Sequence, residues 1–251
     1  MNSDLSNLTE PQKTQVMMQW QKQQHLTHER DIELTAMGDK LKDFVIYHQV
    51  WNPAITSARY HASYLLMNNE RLYSGKRVLD MGCGTGLMGI IMGLNGANSV
   101  TFSDISETAV ANAKENVERF GLKGKSYFST GDLFQNLNLP DDMFDFIVFN
   151  HPFFSATPSE KGEKDLIAQS MLADRRLIER FLKNAKERIG DNSRIMMPFF
   201  SLAENDSNSN SPLILGEKLG YNVEPTFSLE SNFGLQKGTH TIYELTLRGK
   251  Q

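Results

Sequence analysis

Two short stretches of this sequence combine residue types that could bind and position a ligand. The first, VLDMGCGTGLMGI, places Gly82, Gly84 and Gly86 directly after an apolar run that contains Asp80. Glycines between a strand and a helix let the backbone turn tightly, and the N–H groups of the helix then point at a ligand. A dinucleotide-binding loop would require Gly or Ala at position 87, where this chain has Leu. The spacing therefore indicates a ligand-binding loop of another kind.

The second stretch, DFIVFNHPFF, ends an apolar run with an amide, a proline and aromatic rings. Four of its first five residues are apolar, which is typical of a strand buried on both faces. Asn150, His151, Pro152 and Phe153 follow where that strand stops. An amide oxygen, a rigid turn and a flat ring suit the recognition of a planar polar group. The alternative is a plain turn whose phenylalanines fill the core.

The elements that must position these stretches alternate between short apolar runs and helical patterns. RVLDM, SVTFSD, KSYFST and FDFIVFN are predicted as strands, and GLMGIIMGLNGA and SETAVANAKENVERFG as helices. This alternation predicts an α/β fold with a doubly wound, mainly parallel sheet and helices on both faces. Ligands of such sheets lie at the carboxyl ends of strands, near the reversal of strand order. Asp104 ends the second strand and Asp132 follows the third, so both are candidates, although either alone is typical of a turn.

The remaining elements extend the sheet and precede it. DLIAQSMLADRRLIERFLKNAKERIG is predicted as one long helix, SRIMMPFF as a strand, and NVEPTFSLE and HTIYELTLRG as an antiparallel pair at the sheet edge. Residues 8–42 are rich in Gln, Lys and Glu and predict two amphipathic helices, with a capping box from Thr9 to Gln12. We therefore expect an N-terminal helical extension at residues 1–50 and one domain at residues 51–251. The extension either packs on the domain or serves as a lid or substrate-recognition arm.

The glycine spacing and the two acids together resemble the cofactor site of class I S-adenosylmethionine-dependent methyltransferases. The pattern G-x-G-x-G, preceded by Asp80, resembles motif I of that family. The resemblance implies a Rossmann-like, seven-stranded sheet that binds S-adenosylmethionine through Asp80 and the three loop glycines. It implies that Asp104 binds the ribose hydroxyls and that Asp132 reads the adenine amino group. Their neighbours Ile105 and Leu133 would then sandwich the adenine ring.

The stretch from Asn150 resembles the Asn-Pro-Pro-Tyr/Phe motif of small-domain, amino-directed methyltransferases, with His151 in place of the first proline. A planar nitrogen is a poor nucleophile because its lone pair is delocalised. The resemblance implies that the Asn150 side-chain oxygen, beside the cofactor, and the His151 carbonyl accept the two N–H bonds of the acceptor. Pro152 would stiffen the turn, and Phe153 would stack on the flat acceptor group. A second role for His151, as a general base near neutral pH, stays open.

Composition restricts the class of protein without identifying the acceptor. The chain has 251 residues, a net charge of −4 and a single cysteine, Cys83. The negative charge counts against a nucleic-acid partner but does not exclude one. No apolar run approaches the roughly 20 residues of a membrane helix, and the N-terminus lacks the pattern of a signal peptide. One cysteine forms neither an internal disulfide nor a cysteine-based metal site, and we interpret Cys83 as a packing residue of the loop.

These observations favour an enzyme of the cytoplasm that uses no metal and no membrane partner. The expected activity is N-methylation of a planar amino or amide nitrogen of an RNA base, a protein side chain or a small molecule. Transfer to oxygen or carbon, and a non-catalytic cofactor-binding module, are the alternatives. A nucleotide-dependent oxidoreductase is disfavoured by Leu87 and by the missing second domain.

Overall fold

The computed structural model describes residues 3–24, 27–34, 40–137, 143–156, 165–204, 211–233 and 236–249. The helices are α1 (Glu10–Gln23), α2 (Ala58–Met67), α3 (Asn69–Leu72), α4 (Leu87–Leu94), α5 (Glu107–Arg119), α6 (Leu166–Met171), α7 (Leu177–Ala185) and α8 (Pro212–Lys218). The strands are β1 (His28–Glu33), β2 (Lys40–Ile46), β3 (Arg77–Met81), β4 (Ser99–Asp104), β5 (Ser126–Thr130), β6 (Phe144–Phe149), β7 (Phe154–Ser155), β8 (Leu172–Ala173), β9 (Ile189–Phe200), β10 (Tyr221–Phe233) and β11 (Gln236–Leu247). Short 3₁₀ turns occupy Pro53–Ile55, Lys123–Lys125 and Ser201–Ala203.

Seven strands form the central sheet, in the order β10-β11-β9-β6-β3-β4-β5. The pairings from β9 through β6, β3 and β4 to β5 are parallel, whereas β11 is antiparallel to both β9 and β10. The strand order reverses at β3, because β4 and β5 lie on one side of it and β6 and the later strands on the other. This topology confirms the predicted doubly wound, mainly parallel, seven-stranded sheet with its antiparallel pair at one end.

Apolar side chains cover both faces of this sheet. Val78 of β3 and Phe146 of β6 belong to the core cluster under α2, α4 and α5. Leu79 and Ile147, the next residues along the same strands, belong to the cluster under α7. Successive side chains of a strand point to opposite faces, so a continuous apolar run is what a strand covered on both sides requires.

The N-terminal segment contains one of the two predicted helices. α1 begins at the predicted capping box, in which the Gln12 N–H donates to Thr9 and the Thr9 N–H donates to the Gln12 side chain. The second predicted helix is wrong where the structure describes the segment, because β1 and β2 form an antiparallel pair there; residues 35–39 lie outside the described residues. Three consecutive residues of β2, Phe44, Val45 and Ile46, are buried. Pairing with this buried strand outweighs the helical pattern of residues 28–33.

The long helix predicted after the fourth sheet strand is interrupted. Leu172 leaves the helical conformation at the end of α6, with φ −116° and ψ 131°. It pairs with Phe154, which places β8 beside β7. α7 begins again at Leu177, after a turn in which the Arg176 N–H donates to the Asp174 carboxylate at 2.7 Å. The pairing of Leu172 with the segment that follows the Asn150 stretch therefore breaks a periodicity that otherwise favours one helix.

Two asparagines of α5 connect β2 to the loop between β3 and α4. The buried Asn116 side chain accepts the Val45 N–H at 2.8 Å and donates to the carbonyls of Val45 and Thr85 at 2.8 and 2.9 Å. Asn112 accepts the Tyr47 N–H at 2.9 Å and donates to the Val45 carbonyl at 3.0 Å. Backbone groups in an interior need such partners. The two side chains thus hold the N-terminal segment and the glycine loop against one helix.

Replacement of Asn116 by Ala should lower the free energy of unfolding by about 2–4 kcal/mol, because buried backbone groups of Val45 and Thr85 lose partners. Urea denaturation at neutral pH measures the loss. Arg119→Ala is the matched control on the same helix, since it removes partly exposed ion pairs to Glu29 and Glu115. That control should cost much less, because exposed ion pairs contribute little to stability. Equal losses in the two variants would contradict a dominant role for the buried network.

Candidate active site

The loop between β3 and α4 has a backbone conformation that requires its glycines. Gly82, Gly84 and Gly86 have φ angles of 65°, 53° and 83°, a region that side chains disfavour. The Cys83 N–H donates to the Ser103 carbonyl at 3.0 Å and holds the loop against β4. A Cβ on Gly86 would lie 3.1 Å from a side chain of α5. Burial raises the pKa of the Cys83 thiol well above its ordinary value, as befits a packing residue.

Asp80 joins the end of β3 to the helix that follows the loop. Its Oδ2 accepts the Gly89 N–H of α4 at 2.8 Å, and the residue is buried. Burial raises the pKa of the Asp80 carboxyl well above its ordinary value, and the charge of Asp104 raises it further, although the Gly89 bond opposes the shift. Asp80 therefore fixes the end of β3 to α4, on the two sides of the loop, and it also borders the cavity described below.

Asp104 holds the loop from the neighbouring strand. Its Oδ2 accepts the Gly84 N–H and its Oδ1 accepts the Ser106 N–H, each at 2.9 Å. Burial raises the pKa of the Asp104 carboxyl, while the backbone N–H groups of Ser106, Gly84 and Ile105 counteract the rise. Each carboxylate oxygen has further lone pairs for a ligand. The next residue, Ile105, is 64% exposed, which is unusual for its type and leaves an apolar side chain beside the cavity.

Asp132 lies at the same edge of the sheet but is already paired. Its Oδ2 accepts a hydrogen bond from Arg180 of α7 at 2.6 Å, and Arg180 also reaches Asp174 at 3.4 Å. Leu133 has a φ of 55°, uncommon for leucine, and its side chain is buried where it lines the cavity. A ligand that Asp132 reads must therefore share this carboxylate with Arg180.

The residues from Asn150 to Phe153 leave the end of β6 and enter the same cavity. Asn150, Pro152 and Phe153 are partly buried, whereas His151 is almost fully buried. The His151 ring contacts the rings of Phe149 and Phe153 edge-on, with centroids 5.5 and 5.4 Å apart. It also stacks on Phe199 at 6.1 Å. The stretch is thus both a turn and part of an aromatic cluster.

The chemical state of His151 follows from this enclosure. Its Nδ1 lies 2.9 Å from the Pro152 carbonyl, which can only accept, so Nδ1 carries the proton and Nε2 the lone pair. Burial lowers the pKa of His151 to about 4, although backbone groups of Pro152 and Pro198 oppose the shift. The ring is therefore neutral at physiological pH and does not titrate there. This state counts against the general-base role that the sequence leaves open.

Two further histidines lie near Asn150. Burial lowers the pKa of His240 to about 4, and its ring stacks on Phe200 with centroids 4.3 Å apart. Burial, together with the neighbouring His240 and His151, lowers the pKa of His61 to about 3, and the Asn150 side chain opposes that shift. All three rings are thus neutral near pH 7, and the region around Asn150 carries no imidazolium charge.

One cavity of 980 Å³ joins these groups. We call the glycine loop with Asp80, Asp104 and Asp132 its acidic half, and Asn150 to Phe153 with Phe200 and His240 its aromatic half. The acidic half lies at the ends of β3, β4 and β5, and the aromatic half lies at β6, β9 and β11. The predicted site residues that line the cavity are Asp80, Gly82, Gly84, Asp104, Ile105, Asp132, Leu133, Asn150, His151, Pro152 and Phe153. Gly86 is the exception, since it packs against α5 behind the loop.

Several lining residues were not found by sequence reasoning. Gln19 of α1, Trp51, Arg180 and His240 all border the cavity. Trp51 precedes an Asn-Pro turn signal, which could have drawn attention to it. Gln19 and Arg180 sit within ordinary helical patterns, and no local feature marks them. Their contribution depends on tertiary contacts alone.

Comparison with known proteins places this geometry in a family. Residues 60–197, more than half of the chain, match the methyltransferase small domain family, and the chain belongs to that family. It is 39% identical over 85 residues to the ribosomal RNA large subunit methyltransferase G of Alcanivorax borkumensis, covering 34% of this chain and 21% of that protein. A Methanocaldococcus jannaschii protein, provisionally named a protein N5-glutamine methyltransferase, is 36% identical over 124 residues, covering 49% of this chain and 56% of that protein.

A solved structure shares the fold. The 16S rRNA N2 methyltransferase of T. thermophilus, in complex with AdoMet and guanosine, matches this chain with a TM-score of 0.57 and 19% sequence identity. The alignment covers 89% of this chain and 51% of that chain. At this identity the likeness establishes the fold alone. The chain spans about a fifth of the length of the A. borkumensis relative and about half of the length of the M. jannaschii relative.

The residues that the structure describes bear on membrane and metal partners. No helix there is long and apolar enough to cross a membrane. Across the same residues, no group of three His, Cys, Asp or Glu side chains is arranged to hold a metal ion. The three histidines near Asn150 therefore do not form a metal site in the part of the chain that the structure describes.

The buried histidines should make stability depend on pH. A pKa of about 4 for folded His240, against an ordinary 6.5, means that the unfolded chain binds the extra proton as pH falls below 6.5. Above pH 6.5 His240 therefore does not lower the free energy of unfolding, and below it this free energy falls as the pH approaches 4. Between pH 7.5 and pH 5 this residue should cost about 2 kcal/mol, and His240→Phe should reduce the measured drop by that amount.

Urea denaturation of both proteins at the two pH values measures this difference. Asp80 and Asp104, whose raised pKa values act in the opposite direction, are present in both proteins and cancel in the comparison. Parallel pH dependences for the wild type and His240→Phe would show that the pKa of His240 is not lowered in the folded protein.

Proposed function

We propose that this protein is an S-adenosylmethionine-dependent methyltransferase that N-methylates a planar amino or amide nitrogen. Residues 51–251 form the methyltransferase domain in this proposal, and residues 1–50 form its N-terminal extension. The observation that carries the proposal is the position of Asn150 to Phe153 in one cavity with the glycine loop. Family membership supports methyl transfer, and the name of one relative, a protein N5-glutamine methyltransferase, supports a nitrogen acceptor.

The acidic half fits the cofactor. Asp104 has lone pairs beyond those used by Gly84 and Ser106, and two ribose hydroxyls can donate to them. The exposed Ile105 side chain offers an apolar surface to the adenine ring, and burial against a ligand would remove that surface from water. Asp132 would accept from the adenine amino group while Arg180 holds its Oδ2. Arg180 would thereby orient the carboxylate.

The aromatic half fits the acceptor nitrogen. The Asn150 side-chain oxygen and the His151 carbonyl would accept its two N–H bonds, orient its lone pair and favour pyramidal geometry. S-adenosylmethionine, when bound, supplies a methyl group that its sulfonium already activates. Positioning by the protein then provides most of the catalysis, with no strong general base. The neutral His151 ring agrees with this chemistry, because an imidazolium there would repel the cationic cofactor.

The walls of the aromatic half favour a flat acceptor group. The Phe153 ring lies 6.1 Å from Phe199 and 6.3 Å from His240, and it borders the cavity with an open side. Aromatic rings stack on planar groups such as bases and amides. We therefore favour an RNA base or a protein side-chain amide as the acceptor, and the names of the relatives print ribosomal RNA and protein glutamine as substrates.

A small-molecule acceptor is the second candidate, and the position of α1 favours it. Gln19 of α1 lines the cavity. The Trp20 indole N–H donates to Asp165 at 2.8 Å, and Gln23 accepts the Asn52 N–H at 2.7 Å. The helix is therefore fixed along one wall of the cavity, which restricts the space for a large acceptor.

Replacement of Asp104 by Asn should weaken binding of S-adenosylhomocysteine about 10- to 100-fold, because a charged hydrogen-bond acceptor is lost from the ribose. Calorimetry on the full chain measures the affinity. Asp145→Asn is the matched control, since Asp145 pairs with Arg77 at the start of β6, at the opposite edge of the sheet. The control should bind like the wild type. Equal affinities for wild type and Asp104→Asn would mean that the ribose does not lie at Asp104.

Labelled S-adenosylmethionine, incubated with RNA, protein and small-molecule fractions of the source cells, tests the function and identifies the acceptor. Asn150→Ala should lower the labelling rate by the equivalent of roughly 2–4 kcal/mol in the barrier, as for other preorganised groups, while cofactor affinity stays near wild type. His151→Pro restores the family motif and should retain activity, because only the backbone carbonyl is used. Absence of labelling in every fraction would contradict the proposed activity. An inactive His151→Pro that folds and binds cofactor would assign chemistry to the imidazole.

A further inference from the structure

The inward face of α1 consists mostly of glutamines. Gln12, Val16, Gln19 and Gln23 follow one another at spacings of three or four residues, so they lie on one face of the helix. A helix that packs on a domain usually turns an apolar stripe inward. Amides taken out of water are costly unless they are hydrogen-bonded. The glutamines of this face therefore need partners, either within the fold or from a ligand.

Two of these glutamines fix the helix in place. Gln12 donates to the Leu202 carbonyl at 2.9 Å. Gln23 accepts the Asn52 N–H at 2.7 Å and donates to the Asn52 carbonyl at 3.3 Å. Because these bonds lie on either side of Gln19 along the helix, they define where the Gln19 backbone stands relative to the sheet.

Gln19, by contrast, faces the cavity. The residue is partly buried and lines the cavity, and its side chain makes no hydrogen bond to another residue that the structure describes. Val16 and the neighbouring Trp20 pack in the same apolar cluster as Phe153 and Phe200. The Gln19 amide therefore borders the aromatic half of the cavity, where the acceptor is proposed to bind.

The groups assigned to the acceptor nitrogen leave one requirement unmet. The Asn150 side-chain oxygen and the His151 carbonyl only accept hydrogen bonds. In an amide or an amino heterocycle, the carbon that bears the amino nitrogen also carries a hydrogen-bond acceptor, which is the carbonyl oxygen or a ring nitrogen. The His151 ring does not serve this atom, because its N–H lies against the Pro152 carbonyl at 2.9 Å. A donor from another element must do so.

We propose that Gln19 is a specificity-determining residue whose side-chain NH₂ donates to this second atom of the acceptor. The inference rests on the proposed function and narrows the acceptor to an amide or an amino heterocycle. A plain aliphatic amine lacks the atom to which Gln19 donates. Gln19 lies outside residues 60–197, so the contact is not part of the range that matches the family.

Steady-state kinetics test this role. The probe is whichever of the RNA, protein and small-molecule fractions S-adenosylmethionine labels, used as a dilution series at saturating cofactor. Each variant is compared with the wild type in the same fraction, so the ratio of their KM values does not require the concentration of the acceptor. Calorimetry with S-adenosylhomocysteine and the thermal midpoint of unfolding check the cofactor site and the fold of each variant.

Gln19→Leu keeps the size of the side chain but removes the donor. It should raise the KM for the acceptor about tenfold and change kcat much less, as expected when one hydrogen bond to the substrate is lost. Gln19→Glu keeps an oxygen but lacks the N–H, and should lose at least as much. Gln21→Leu is the matched control, because it makes the same change at an exposed position of α1 and should leave the kinetics unchanged. Cofactor affinity and the thermal midpoint should stay near wild type in all three.

The outcomes separate this inference from the proposed function. Absence of labelling by the wild type in every fraction would overturn both. With an active wild type, an unchanged KM in Gln19→Leu would overturn the inference alone, and a raised KM in Gln169→Leu would then place the donor on α6, which also lines the cavity. A wild-type KM in Gln19→Glu, with a raised KM in Gln19→Leu, would assign the contact to the oxygen and remove the donor role. Equal losses in Gln19→Leu and Gln21→Leu would also overturn it, because the effect would belong to the helix as a whole.

Discussion

The site depends on the register of three neighbouring parallel strands, β3, β4 and β6, which end at the same edge of the sheet. Met81 of β3 pairs with the last residue but one of β4 on one side and with the last residue of β6 on the other. Gly82, Asp104 and Asn150 each follow directly, so backbone pairing alone brings a loop, a carboxylate and an amide to one edge. A slip of one residue would turn the following side chain to the other face. The ladder therefore sets the geometry on which the side-chain contacts build.

Several polar groups of the described interior are fully paired, whereas a few have no hydrogen-bond partner. Asn116 is buried with its side-chain bonds made, and the buried Glu244 carboxylate is held by Arg71, Arg194 and Tyr64. By contrast, His61 and Tyr73, neither of which lines the cavity, each have a buried polar atom without a hydrogen-bond partner. Incompletely satisfied polar groups reduce stability, and these two are not confined to the walls of the site.

The parts of the site that the sequence predicts are those set by local pattern. The glycine loop needs only a strand, a turn and a helix, and Asp104 needs only the end of the next strand. Arg180 could not be predicted, because its contact with Asp132 joins residues 48 positions apart through a helix whose start depends on the pairing of β7 with β8. β1 was mistaken for a helix for a similar reason, since it is held by its pairing with β2, which is in turn held by the α5 asparagines far along the chain. Local periodicity carries no information about such partners.

The residue range that matches the family contains more of the acidic half of the cavity than of the aromatic half. The glycine loop, Asp104 and Asp132 all lie within residues 60–197, the range that matches the family. Gln19, Trp51 and His240 border the cavity from outside that range. The matched range therefore contains the groups that would hold the cofactor, while segments outside it add walls to the space beside Asn150. α1 is fixed there by polar contacts, such as that of Gln12 with the Leu202 carbonyl at 2.9 Å, and by Val16, which is buried in an apolar cluster. Under the proposed function, acceptor selection would then depend on the N-terminal segment and β11 as well as on the matched range.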